Sequence, residues 1–308
     1  MEKAGPPADL VASFALPLPS LVICELLGVP YEDHDFFQRS SAIALNSRSS
    51  PEVALAASQE LIDYLGDLVE AKAADPADDL LSRLATEQLV TGRSTKDECA
   101  KEARLLLVAG HETTANMTAL GICALLQHPD QLAVVRDGDP ARVANAVEEL
   151  LRYLSVVHVG RRRVATADIT VGDQVIKEGD GIIFATDLGN RDPEVFADPD
   201  RLDVDRQARR HVAFGSGPHQ CLGQNLARAE LQLAYPPCFG ASRTAAGQAP
   251  GGAVLPQRDG RLRRPRAARQ LVATPASAGN HTGLNWQPHR SPPALRARAH
   301  TAADPEGF

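Results

Sequence analysis

The chain is poor in cysteine, and the five it has (Cys24, Cys99, Cys123, Cys221 and Cys238) are odd in number and share no metal-ligand spacing. A disulfide framework is not expected, and a reducing cytoplasm is the expected setting. Long apolar runs are missing too. The apolar segment from Leu10 to Val29 is broken by Pro17 and Pro19 and carries Glu25, so it reads as helix and turn, and no membrane partner is expected. Lysine vanishes towards the C-terminal end. From Tyr235 onward there are ten arginines, three acidic residues and no lysine, a local balance of +7 within a total of −7 that leaves −14 on residues 1–234. The same stretch holds ten of the 22 prolines and sustains neither a helical nor a strand period. Its arginines lack the aromatic interleaving of nucleic-acid binders, so no nucleic-acid partner is expected. Residues 235–308 are predicted to be a disordered tail.

What remains is ordinary for a soluble globular protein: 308 residues, 44% hydrophobic and 23% charged, enough for one large core or two smaller ones. Residues 19–28 read as a helix with Pro19 near its start and Gly28 as its stop. Leu55, Leu61, Leu65 and Leu68 mark a long amphipathic helix from Pro51 to Ala74. Asp79 starts a short helix through Leu84, a long helix runs from about Thr95 to Gln127, and another from about Pro140 to Tyr153. Residues 164–186 change character. Short apolar runs split by Gly172-Asp173 and Glu178-Gly179 predict strands and turns. The predicted fold is mainly α with a small β-sheet portion.

The stretch from Phe214 to Gly223, Phe-Gly-Ser-Gly-Pro-His-Gln-Cys-Leu-Gly, ends a glycine-rich loop with Cys221 at the start of a predicted helix. Leu222, Leu226, Ala229 and Leu233 recur at helical spacing and predict its buried face. Gly215 and Gly217 permit a turn closed to residues with a Cβ, and Gly223 lets a flat ligand approach the backbone. Read alone, Cys221 has three roles open to it: a small buried apolar residue, a nucleophile with His219, or a fixed thiolate ligand favoured by unpaired N–H groups at a helix start. Residues two apart point away from each other on a helix, which counts against the nucleophile.

The long helix carries Ala109-Gly110-His111-Glu112-Thr113-Thr114. A glycine and two threonines in mid-helix cost propensity, and a threonine can bond back to the carbonyl one turn earlier. Gly110 is predicted to leave room for a small ligand, with Glu112 and Thr113 supplying an acid and a hydroxyl. A loosely packed helix is the plainer reading. Glu149 and Arg152 stand three apart on one helix face, which alone suggests an exposed ion pair. Arg163 and His219 alone read as surface charges.

Phe214-x-x-Gly217-x-x-x-Cys221-x-Gly223 resembles the haem-ligand loop of the cytochrome P-450 family, and the motif around Thr113 resembles that family's oxygen-activation motif. Glu149-x-x-Arg152 and Asn190-Arg191-Asp192-Pro193 match further motifs in the family order. The resemblance covers residues 1–234 and implies a partial haem-thiolate domain of the bacterial soluble type. It implies haem b with iron bound axially by Cys221, and a loop in which Phe214, Gly215 and Gly223 flank the cofactor. Arg163 and His219 would hold its propionates. Glu112 would relay protons and Thr113 would steady activated oxygen. Glu149 and Arg152 would form a buried pair with Arg201 as third partner. The implied activity is a monooxygenase inserting one atom of dioxygen into a small hydrophobic substrate of bacterial secondary metabolism, with electrons from a ferredoxin-type donor. The alternative expectation is an inactive truncated fragment of such an enzyme, with weak or no haem binding. Back-translated with cytosine- and guanine-rich codons and shifted by two bases, Tyr235 to Ala241 can read Pro-Pro-Leu-Phe-Arg-Arg, similar to the family's continuation, so the tail is expected to be out of frame.

Overall fold

A computed structural model describes residues 9–46, 48–157 and 162–245, with side chains described to residue 239. Its helices are α1 (Pro17–Leu27), α2 (His34–Leu45), α3 (Pro51–Ala74), α4 (Leu80–Leu84), α5 (Lys96–Gln127), α6 (Pro129–Asp137) and α7 (Pro140–Leu154). Strands β1 (Arg162–Val164), β2 (Ile169–Val171), β3 (Gln174–Ile176) and β4 (Gly181–Ile183) follow, then the helical turn α8 (Thr186–Gly189) and helix α9 (Gln224–Ala245).

The helix ends are written into the sequence as caps. Ser50 accepts from the Val53 N–H with Pro51 as first helical residue, and Asp79 accepts from Ser82. Thr95 and Glu98 form a reciprocal capping box at the start of α5, and Asp139 caps α7 ahead of Pro140. Gly28 closes α1 in the left-handed region at φ +74°.

Helix α5 belongs to two cores. Its first half packs with α1 to α4 around Leu27, Phe37, Leu61, Leu65, Leu81 and Leu107. Its second half packs with α6, α7 and α9 around Ile122, Leu125, Val147, Leu150, Leu231 and Tyr235. A helix used on two sides buries more than one stripe, and polar residues such as His111, Glu112 and Thr118 end up inside. Where α5 meets α9, Gly121 is filled by its neighbour: a Cβ there would overlap the hydroxyl of Tyr235. That hydroxyl donates to the Met117 carbonyl at 2.9 Å.

The strand segment differs from a single small sheet. Among the described residues it forms two separate antiparallel pairs, β1 with β4 and, nested between them in sequence, β2 with β3. The strands are three residues each and mostly exposed, so no face is buried that would draw the two pairs together.

The C-terminal boundary also differs. Helix α9 does not stop before Tyr235 but continues through Ala245, with Pro236 and Pro237 inside it. Proline costs a helix about 3 kcal/mol. Here Tyr235 and Phe239 are buried in the second core, and that burial holds the helix across the prolines. The rest of the tail expected to be disordered and out of frame from Tyr235 onward, residues 246–308, lies outside the described residues.

Candidate functional site

Two turns shape the cysteine loop. The Gly215 N–H donates to the Val212 carbonyl at 2.9 Å, and the Gln220 N–H to Gly217 at 3.0 Å. Gly215 and Gly217 have φ +71° and +76°, a conformation that strains any residue with a Cβ. The Cys221 N–H then donates back to the Phe214 carbonyl at 2.9 Å, which closes the loop and presents a half-buried thiol just before α9. A Cβ added to Gly223 would meet open space. His219 ends the short turn Gly217–His219 and is exposed, as is Arg163 on β1, whose guanidinium bonds only the adjacent Arg162 carbonyl among the described residues.

The face predicted for α9 is the wrong one. Leu222 and Leu233 are 85% and 75% exposed. Leu231, Ala234, Tyr235 and Phe239 form the buried stripe instead. Both stripes have helical spacing, so periodicity alone could not choose between them.

Behind the loop lies a knot of charge on α7. Glu149 and Arg152 are fully buried and joined by two parallel hydrogen bonds of 2.7 and 2.8 Å. The remaining donors of Arg152 are spent on backbone carbonyls of Asn190, Pro199 and Arg201, and its guanidinium lies over the Phe196 ring. The third partner is Arg206, whose Nε reaches Glu149 at 3.2 Å. Arg201, expected in that place, gives only its backbone carbonyl. Asn190, whose motif had no assigned chemistry, is a buried bridge. Its amide donates to Ser155 at the end of α7 and accepts from the Val212 N–H, where the cysteine loop begins.

One residue earlier on α7, Glu148 accepts from Arg228 on α9 and from His211. The Arg228 guanidinium also lies 4.6 Å from the centre of the Phe214 ring. Burial alone would push the Glu148 carboxyl up. The bonds from His211 and Arg228 outweigh it and hold the group at about 2. Sequence reasoning missed this cluster, since residues 148, 211 and 228 lie in three segments and only the pair of adjacent glutamates hinted at it.

On α5, Thr113 is exposed and its hydroxyl donates to the Ala109 carbonyl at 2.8 Å. Glu112 is buried, and with burial as the cause its carboxyl is raised to about 7. His111 is fully buried, with Nδ1 on the Leu107 carbonyl and Nε2 without a hydrogen bond, 3.6 Å from a Glu112 oxygen. Burial lowers that imidazole to about 4. Gly110 does not leave ligand space beside the helix wall: a Cβ there would meet Ile23 Cδ1 of α1 at 2.5 Å, so the glycine serves helix packing.

Among the described residues no cluster of three or more His, Cys, Asp or Glu side chains is placed to hold a metal ion. No helix among them is long and apolar enough to cross a membrane. Of the residues brought forward by sequence, Phe214, Gly215, His219, Cys221 and Gly223 share one loop, while Glu112 and Thr113 lie on α5, which packs against the α9 that follows that loop. A soft sulfur donor closing a loop of left-handed glycines, with open space at Gly223 and an exposed His219 and Arg163, fits a flat iron macrocycle.

Comparison with known proteins agrees. The Cytochrome P450 family profile matches residues 143–237. Cytochrome P450-SU2 of Streptomyces griseolus is 57% identical over 74% of this chain and 55% of its own length. Pentalenic acid synthase of Streptomyces avermitilis is 54% identical over 78% of this chain and 59% of its own length. The chain thus spans somewhat more than half the length of these relatives. The crystal structure of the LnmA cytochrome P450 hydroxylase, from the leinamycin pathway of Streptomyces atroolivaceus, superposes with a TM-score of 0.71 at 40% identity, over 82% of this chain and 67% of that one. By that likeness in sequence and structure, the chain belongs to the cytochrome P450 family.

Proposed function

We propose that this chain carries the haem-thiolate part of a monooxygenase that inserts one oxygen atom from dioxygen into a small hydrophobic substrate. The observation that carries the reading is the Cys221 loop, with its two left-handed glycines and the backbone bond from Cys221 to Phe214. Haem b bound here would supply an iron centre for dioxygen chemistry, and a ferredoxin-type donor in the cytoplasm would supply the electrons. Cys221 would hold it through its sulfur, and a thiolate donor would push electron density toward iron. Phe214, Gly215 and Gly223 shape the loop around the sulfur. Arg163 and His219, both exposed, would pair with the propionates. Glu112, whose carboxyl is raised to about 7, takes up and gives up protons at its Oε atoms, and the exposed Thr113 hydroxyl would steady activated oxygen. The names of the relatives, an acid synthase and a pathway hydroxylase, favour a substrate of secondary metabolism.

A second reading is favoured by the exposure of Leu222 next to Cys221 and of Leu233 further along α9: the chain holds haem weakly and does not turn over. One experiment separates the two. Haem is titrated into the chain, and the reduced, carbon monoxide-bound spectrum is compared with that of Cys221→Ser. A red-shifted Soret band that the substitution abolishes supports the first reading. A histidine-type spectrum surviving in Cys221→Ser overturns the ligand assignment, and absence of binding favours the second reading.

A further inference from the structure

Three parts of the molecule meet at the buried carboxylate of Glu148. It accepts from His211 Nε2 at 2.9 Å, and from Arg228 Nε at 2.6 Å and Nη2 at 3.2 Å. The other ring nitrogen of His211, Nδ1, lies 3.1 Å from the backbone nitrogen of Ala213. A backbone N–H can only donate, so Nδ1 must present a lone pair. The ring proton then sits on Nε2 and points at Glu148. A doubly protonated ring would set two N–H groups against each other at Ala213. The charge of Glu148 is already answered by Arg228, which leaves His211 free to act as a neutral connector.

The next residue after Ala213 is Phe214. Its ring lies beneath the Arg228 guanidinium and 6.0 Å from the centre of the His211 ring. Its carbonyl accepts the Cys221 N–H. Both partners of Glu148 therefore converge on the residue that anchors the cysteine.

We propose that Glu148, His211 and Arg228 are positioning residues for Cys221: His211, held as the Nε2–H tautomer, fixes the backbone at Ala213 while Arg228 clamps the Phe214 ring, so that the Phe214 carbonyl meets the Cys221 N–H in one place. This rests on the reading of Cys221 as a thiolate ligand and deepens it. A histidine that merely fills space would be replaced without consequence by any side chain of similar bulk. A connector is replaced only by one that keeps the acceptor facing Ala213.

The test uses the full chain. Imidazole nitrogen shifts of protein labelled with 15N-histidine, recorded at neutral pH, identify His211 by the signal lost in His211→Asn. A neutral ring protonated on Nε2 is expected. A ring protonated on Nδ1, or on both nitrogens, overturns the proposal. Amide hydrogen exchange across residues 213–221 is then compared in three variants. His211→Asn keeps an acceptor near the Nδ1 position, His211→Gln keeps only a donor toward Glu148, and His211→Phe keeps only bulk. Exchange is expected to stay within about twofold of the parent in the Asn variant. It should rise roughly five- to tenfold in the Gln and Phe variants, the loss of one net hydrogen bond. Equal exchange in all three overturns the proposal. If the variants do not fold, the tautomer in the parent decides. In haem-loaded protein the Gln and Phe variants should also lose thiolate-type Soret intensity that the Asn variant keeps. A parent without that band overturns the haem-thiolate reading, while the nitrogen and amide measurements still judge the connector.

Discussion

Glu148 on α7 and Glu112 on α5 are buried to nearly the same degree, 7% and 6% exposed, yet their surroundings push their acidities in opposite directions. Glu148 has burial working against its charge and two strong donors working for it, and the donors win. Glu112 has the burial without the donors. Its nearest base is His111, itself pushed toward neutrality. The difference teaches what each region is for. On α7 every charge is answered and held, which suits a scaffold behind the cysteine loop. On α5 a carboxyl is kept close to the point where it can change state, which suits proton handling.

The contrast breaks most visibly at the scaffold. Arg152→Ala should cost about 3–5 kcal/mol, because it removes the bidentate partner of a fully buried Glu149 and leaves only Arg206 at 3.2 Å to answer its charge. The midpoint of urea unfolding reads this directly, and a loss below about 1 kcal/mol would make the knot an ordinary surface pair. Glu148→Gln should cost about 2 kcal/mol at neutral pH, the loss of charge-assisted bonds to His211 and Arg228. Glu148 is ionised in the fold down to about 2 and in the unfolded chain only down to about 4.5. Its contribution is thus full above pH 4.5 and lost as pH falls toward 2. Parent and variant stabilities should converge over that interval, and a constant gap would show that charge is not the cause.

Glu112→Gln should act in the other direction. The folded carboxyl titrates at about 7 against an ordinary 4.5, so its penalty is absent below pH 4.5, grows as pH rises, and is complete above 7. The variant should therefore exceed the parent by on the order of 1–2 kcal/mol at pH 8 and match it near pH 4.5. His111 tilts the parent the opposite way between its ordinary 6.5 and about 4, so the parent's own profile should be nearly flat between pH 5 and 6. Smallest in stability is Thr113→Ala, within about 0.5 kcal/mol for an exposed side chain. In a haem-loaded, electron-fed enzyme it should still divert electrons to hydrogen peroxide. Unchanged product per electron would remove Thr113 from the proposed role.

Much of this was legible in the sequence because the signals are local. Caps at Ser50, Asp79, Thr95 and Asp139 mark helix starts without any knowledge of the fold. The helix α2 was not legible, since Ser40 and Ser41 occupy its buried face and interrupt the apolar period. The buried side of α9 was misread because an exposed leucine stripe rivals the true one. Arg206 and His211 were missed for a different reason. Each acquires meaning only from a glutamate more than fifty residues away, and one sequence holds no mark of that pairing.

The notch at Gly121 has a further consequence. Tyr235 fills it and bonds across to Met117, so α9 can seat on α5 at one axial position only. From the notch to Thr113 is roughly 12 Å along α5, and from Tyr235 back to Gln224 roughly 16 Å along α9, at 1.5 Å per residue. These two lengths, measured from a common origin, index the height of the cysteine loop against the threonine. A slip of one helical turn would move one relative to the other by about 5.4 Å, more than the span of a hydrogen bond. The tyrosine thus works as a ruler's zero mark, and a bulkier residue in place of Gly121 would recalibrate a site it never touches.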